Sequence, residues 1–320
     1  MIFWIIPIVL LVLLLIGAFM MKWIGNQFLE NLRRLAPGEA FNTDIDVSFY
    51  EKGPMPKLSA EGTAFMKTLP MEEVEIHAED GCLLHGYLFP AEGNPKRYVL
   101  GIHGFHSDPY SEYGPHIAYY RSIGWGMLLV DDRAHGKSEG SYVTMGVKDS
   151  RDCVNWANFL VKKFGEEVQI LLHGVSMGGA TVLSAAGEED LPKEVLGVVS
   201  DCGFTSAADI FANQIGRMYP IPTGLPVKIC GYFAKKKAGF DLNTRRPIDQ
   251  VKHARVPIVF IHGAEDTMVP VWMSEKLYEA CTSKKKLLKV AGANHAESVG
   301  IDPDGYHKAI EELLEMGKEA

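Results

Sequence analysis

No C-x-x-C pair occurs in this 320-residue chain, and no Cys/His spacing matches a zinc site. The five cysteines, Cys82, Cys153, Cys202, Cys230 and Cys281, are odd in number and widely scattered. That argues against a disulfide framework and for buried free thiols in a reducing compartment. A surplus of positive charge is missing too. The formal net charge of −8 supplies no field to attract phosphates, so a nucleic-acid partner is not expected. Internal repeats and low-complexity tracts are absent. The remaining balance, 47% hydrophobic and 22% charged, is that of an ordinary globular protein whose length suits one α/β core.

The sharpest deficit is local. Residues 2–21 contain no charged side chain, and twenty helical residues reach about 30 Å, the thickness of the bilayer's hydrocarbon core. Pro7 lies near the start, where a helix tolerates it, and Trp4 and Trp23 sit near the ends, where interfacial aromatics are favoured. A cleaved signal peptide would want a basic leader and a small-x-small cleavage site; neither is present around Ala18-Phe19-Met20. The expectation is an uncleaved single-pass anchor over residues 1–24. Lys22, Arg33 and Arg34 follow it, which by the positive-inside rule places the remainder in the cytoplasm.

Residues 25–70 read as a connecting region, with short helices expected at 26–35, before Pro37-Gly38, and at 57–69, before Pro70. From Met71 the pattern changes. Runs at 74–77 and 83–89 flank Glu79-Asp80-Gly81 and predict an antiparallel hairpin. Short apolar runs at 98–103, 126–131, 168–173, 195–201, 257–262 and 286–290 then alternate with helical stretches. Such strands suit a parallel sheet covered on both faces, which makes residues 71–320 a doubly wound α/β domain. More than fifty residues separate the strands ending at Asp201 and starting at Pro257. They contain two helical patterns, at 207–218 and 227–237, and read as a small cap over about 204–250.

Gly174-Val175-Ser176-Met177-Gly178 lies between a strand and a helical stretch. In that context G-x-S-x-G is a tight turn that presents a strained serine with its hydroxyl exposed. A serine needs a base, and in this arrangement the acid and base follow in chain order. Asp266 and His295 each follow an apolar strand, at the carboxyl edge where such sheets place ligands. His295 is the expected proton acceptor and Asp266 the group that orients it. Asp201 is an alternative acid; Glu265 is expected to point elsewhere, and His262 to be structural. The oxyanion would meet the backbone N–H of Met177 and that of Phe105, in the loop His103-Gly104-Phe105-His106. His106 is a candidate for touching substrate. No third ligand accompanies His103 and His106, so no metal is expected there.

His103-Gly104, the run from Asp131 to Ser138, the Ser176 turn, the Asp266 loop and Asn294-His295 together resemble the α/β-hydrolase superfamily over about residues 71–316. They are most similar to its membrane-anchored esterase and thioesterase-like members, near dienelactone-hydrolase-like and prolyl-oligopeptidase-like proteins. Ala134 stands where relatives usually have a glycine. The resemblance implies hydrolysis of an ester, thioester or amide through an acyl-enzyme, without metal or organic cofactor. The anchor and the apolar cap residues Ile210, Phe211, Ile215, Met218 and Phe233 favour a small-molecule or lipid-like acyl substrate. A peptidase or amidase on the same residues and a non-catalytic scaffold on the same fold remain the alternatives.

Overall fold

A computed structural model describes residues 2–39, 52–93 and 96–318. Its first element is a single helix, α1 (Ile2–Leu32). The sequence reading ended the anchor near residue 24 and began a second helix at 26. Instead the helix runs unbroken through Gly25, where another element packs close. A Cβ there would lie 2.3 Å from ring carbons of Phe233. The stretch Val9–Leu32 is long and apolar enough to cross a bilayer. The side chains of Trp4 and Pro7, and residues 40–51 of the expected connecting region, lie outside the described residues. Elsewhere that region contributes to the core: Phe28, Leu32, Met55 and Met66 are buried. α2 (Met55–Met66) packs on α3 (Pro109–Ser122), where Ser59 and Thr63 donate to the carbonyls of Ser111 and Tyr110.

Among the described residues eight strands form one sheet, in the order β1-β2-β4-β3-β5-β6-β7-β8. β1 (Glu72–His77) and β2 (Leu83–Phe89) are the expected hairpin. β3 (Arg97–Ile102), β4 (Gly126–Val130), β5 (Gln169–Val175), β6 (Val195–Asp201), β7 (Ile258–Gly263) and β8 (Lys285–Val290) are parallel to one another. β3, β4, β5, β6 and β7 are almost wholly buried. That burial is why they read as continuous apolar runs instead of alternating ones.

Each face of the sheet carries its own apolar layer. One holds Leu100, Leu172 and Val198 against Trp156 and Leu160 of α4 (Asp149–Phe164) and Val182 of α5 (Met177–Ala186). The other holds Val99, Leu171 and Val259 against Tyr113 of α3 and Tyr306 of α11 (Pro303–Lys318). α9 (Trp272–Ala280) and the short α10 (Ser298–Ile301) complete the wrapping after β7 and β8.

A third cluster concerns the site directly. Phe28 and Leu32 of α1 pack with Met177, Val269 and Met273, and with cap residues Ile210 and Cys230. The cap comprises α6 (Ala207–Met218), α7 (Gly224–Phe233), a π-helical turn (Ala234–Ala238) and α8 (Pro247–Gln250). Ser206 caps α6 by accepting from the Asp209 N–H.

Candidate active site

β5 ends at Val175 and α5 begins at Met177, so Ser176 is the whole turn between them. It is held at φ 57° and ψ −113°, a conformation costly for a residue with a side chain. The surrounding glycines permit it. A Cβ on Gly174 would lie 2.0 Å from the Gly178 carbonyl oxygen, and one on Gly178 would lie 1.9 Å from that of Ile102. The Ser176 N–H donates to the Asp201 carbonyl at 2.8 Å, which pins the turn to β6. The serine is thereby half-exposed among buried neighbours, at the N-terminus of a helix that favours negative charge.

Three side chains from separate loops meet here. His295 Nε2 lies 2.9 Å from Ser176 Oγ, and His295 Nδ1 lies 2.7 Å from Asp266 Oδ2. Asp266 Oδ1 accepts from the N–H groups of Met268 and Val269 at 2.8 and 2.7 Å. Burial pushes the Asp266 carboxyl upward, yet His295 and His262 outweigh it and hold the group below the usual carboxylate range. Burial likewise opposes charge on His295, but Asp266 outweighs it and raises the imidazole above its ordinary 6.5. The arrangement suits a base that takes a proton from Ser176 and keeps its charge beside a carboxylate.

The other candidates fall as follows. Asp201 is buried, interacts with Tyr306, and has its carboxyl pushed up to about 7 by burial. Its backbone supports the serine, while the imidazole nitrogen is taken by Asp266. Glu265 turns away and accepts from the Gly292 N–H at 3.1 Å. His262 braces the acid loop: Nε2 meets the Val269 carbonyl at 2.8 Å and Asp266 Oδ2 at 3.2 Å, and Nδ1 meets Ser274 Oγ at 2.6 Å.

Met177 opens α5, and the loop carrying Phe105 runs beside the serine; a Cβ on Gly104 would lie 3.4 Å from Ser176 Cβ. That loop is held from several sides. Glu112 accepts from the Gly104 N–H at 3.2 Å, and His103 Nε2 accepts from the Asp132 N–H at 3.1 Å. His135 Nε2 accepts from the His106 N–H at 3.1 Å. Burial, reinforced by His103, keeps the His135 imidazole neutral and thus able to accept. Ala134 takes φ 62° in the same support loop, which explains why a glycine suits that position. His106 was expected on substrate. Its Nε2 instead bonds the Asn31 carbonyl at 3.0 Å, tying the loop to the end of α1.

Sequence reasoning missed Glu112 and Cys202 as parts of the site, and named Asn294 only as the neighbour of His295. Asn294 Oδ1 accepts from the N–H groups of Thr267 and His295 at 2.9 and 2.8 Å, locking the acid and base loops together. Cys202 Sγ lies 3.9 Å from His295 Nε2. Cys202, Asp266 and His295 form a group of metal-type donors whose atoms lie within 4.8 Å of one another. Within it, however, the His295–Asp266 contact is the hydrogen bond that orients the imidazole.

Known proteins match this chain in sequence and in fold. Residues 138–311 match the model of the prolyl oligopeptidase family. The uncharacterized protein YqkD of Bacillus subtilis is 25% identical over 237 residues, covering 69% of this chain and 77% of that one. The uncharacterized membrane protein YNL320W of Saccharomyces cerevisiae is 27% identical over 198 residues, 61% of this chain and 63% of that one. The structure of the Pyrococcus furiosus esterase Pf2001 superposes with a TM-score of 0.61 at 24% identity, covering 78% of this chain and 93% of that one. That likeness is one of fold, the α/β-hydrolase fold.

Proposed function

The chain belongs to the prolyl oligopeptidase family and is a hydrolase of the serine type, and we propose that it cleaves carboxylic esters or thioesters at a membrane surface through an acyl-enzyme on Ser176. The observation that carries this reading is the double engagement of His295, with Ser176 on one ring nitrogen and Asp266 on the other. His295 takes the hydroxyl proton as Oγ attacks the acyl carbon, and Asp266 stabilises the resulting imidazolium. The N–H groups of Met177 and Phe105 receive the oxyanion. The leaving alkoxide or thiolate departs with the proton from His295. Water, deprotonated by the same imidazole, then releases the acid and restores Ser176.

Esters and thioesters are favoured over peptides by the surroundings. Cap residues Ile210, Phe211 and Ile215 and the anchor residues Phe28 and Leu32 share one apolar cluster with Met177 and Phe105. α1 is the proposed single-pass anchor, and Lys22, Arg33 and Arg34 beyond its apolar run favour a cytoplasmic catalytic domain. A peptidase on the same residues is the second reading, favoured by the name of the family matched.

The test is hydrolysis of p-nitrophenyl esters of graded chain length, acyl thioesters and peptidyl amides by the full chain, with Ser176→Ala as control. Ester or thioester turnover that the variant abolishes is the expected result. Turnover of amides alone would establish the peptidase. Failure of a fluorophosphonate to label Ser176 would sink the catalytic reading altogether.

A further inference from the structure

The cap docks on α1 at an informative depth. The apolar run of α1 ends at Met20-Met21 and is followed by Lys22 and Trp23, the pattern of a helix leaving hydrocarbon. Gly25 is two residues further, about 3 Å along the axis, and it is there that Phe233 of α7 packs. One turn on, the Phe28 ring meets that of Phe211 of α6 edge to face, with centroids 4.9 Å apart. The cap is therefore fixed where the proposed anchor crosses from acyl chains to headgroups.

α7 divides into two faces at that level. Pro226, Ile229 and Cys230 are buried. Leu225, Lys228 and Tyr232, spaced three and four apart, point outward, with Leu225 67% and Tyr232 61% exposed. Met218, Tyr219 and Ile221 are exposed just before them. Beyond α1, the other large exposed apolar side chains among the described residues are dispersed, so this concentration beside α1 stands apart. Residues 224–238 also carry Lys228, Lys235, Lys236 and Lys237 and no acidic residue, in a chain of net charge −8; of the four, Lys235 is paired with Asp241 at 3.1 Å. An apolar and aromatic face edged by lysines is the composition of a helix lying in a membrane interface, where lysine stems follow the apolar surface and their heads reach phosphates.

The geometry points to a second membrane contact: the outward face of the cap around Leu225 and Tyr232 seats among the headgroups of an anionic bilayer. The active site is thereby held within reach of acyl groups on membrane-resident amphiphiles. This rests on the reading of α1 as a membrane anchor. Continuity with α1 and the local charge favour a lipid surface over a protein partner.

The experiment uses the full chain reconstituted in phosphatidylcholine vesicles with and without phosphatidylglycerol. An environment-sensitive fluorophore is attached at Tyr232→Cys and, for reference, at Lys162→Cys on α4. The native thiols are buried or half-buried, and labelling of the unsubstituted protein sets the background. The Tyr232 probe is expected to shift to the blue and be quenched by lipids spin-labelled at the headgroup, while the Lys162 probe is not. Replacing the four lysines by glutamine is expected to remove the additional quenching that phosphatidylglycerol brings. Leu225→Glu is expected to lower turnover of a vesicle-borne long-chain ester while a soluble short-chain ester is hydrolysed at the native rate. A protein that floats with the vesicles while both probes stay unquenched would overturn the proposal, and cross-linking of Tyr232→Cys to a second copy would replace it with self-association. Loss of flotation would overturn the anchor itself, and the cap contact with it.

Discussion

Asp266→Asn tests the orientation of the base more sharply than deletion of the side chain would. Asp266 Oδ1 accepts two backbone N–H groups, from Met268 and Val269 at 2.8 and 2.7 Å. An asparagine must keep its oxygen there, because a flipped amide would set its NH2 against both donors. The NH2 is then forced into the place of Oδ2 and donates to His295 Nδ1. With Nδ1 accepting, the ring proton moves to Nε2, 2.9 Å from Ser176 Oγ, and the nitrogen that should receive the serine proton already carries one. Loss of the correct tautomer in such an arrangement costs roughly 10⁴-fold in kcat, or about 5 kcal/mol at 1.36 kcal/mol per decade. KM for a good ester substrate should hardly move, since the Asp266 side chain is fully buried against His295. Steady-state kinetics and the rate of fluorophosphonate labelling should fall together, with the fold intact. A variant within tenfold of the native kcat would refute the reasoning. If Asp201→Asn were instead the crippling change, the acid would be Asp201.

Two further outcomes follow from the same structure. As the proposed base, His295 would act only when neutral, and Asp266 raises its proton affinity, so kcat/KM should fall as the pH drops through a midpoint above 6.5; Asp266 stays ionised across that range because its own carboxyl is held low. A rate independent of pH from 5 to 8 would exclude His295 as the base. Leu32→Ala removes a fully buried side chain from the cluster that α1 shares with Met177, at a cost of about 2–5 kcal/mol; thermal inactivation of the detergent-solubilised full chain should shift down by several degrees, whereas a passive tether would leave it unchanged.

What could be read in advance divides along a physical line. β3 to β7 were legible because burial on both faces leaves a continuous apolar run, and α6 because its apolar spacing is local. The Ser176 turn was legible because its glycines act on immediate neighbours. The unbroken passage of α1 through Gly25 was not, since the ring that packs there, Phe233, lies over two hundred residues away. Glu112 and Cys202 escaped for the same reason: nothing near them in sequence marks them as neighbours of Gly104 and His295. His106 drew attention by its loop, but Asn31, which holds its ring, is seventy-five residues earlier.

That last contact changes how the N-terminal helix should be understood. A flexible tether does no more than raise the local concentration of an enzyme near its substrate. Here the end of α1 is built into the support of the site. The Asn31 carbonyl holds His106, the Leu32 carbonyl accepts from the Val143 N–H at 2.7 Å, and the Arg34 guanidinium donates to the Gly136 and Ser138 carbonyls. Residues 136–143 continue the loop whose His135 accepts from His106, so α1 braces both the loop beside Ser176 and its second support. Helix and site must therefore keep one relative orientation, and under the proposed anchoring a bilayer that fixes the tilt of α1 also fixes how Ser176 and the cap are presented to it. Under the proposed function, the choice of substrate by position in the membrane and the geometry of acyl transfer would then be set by one and the same helix.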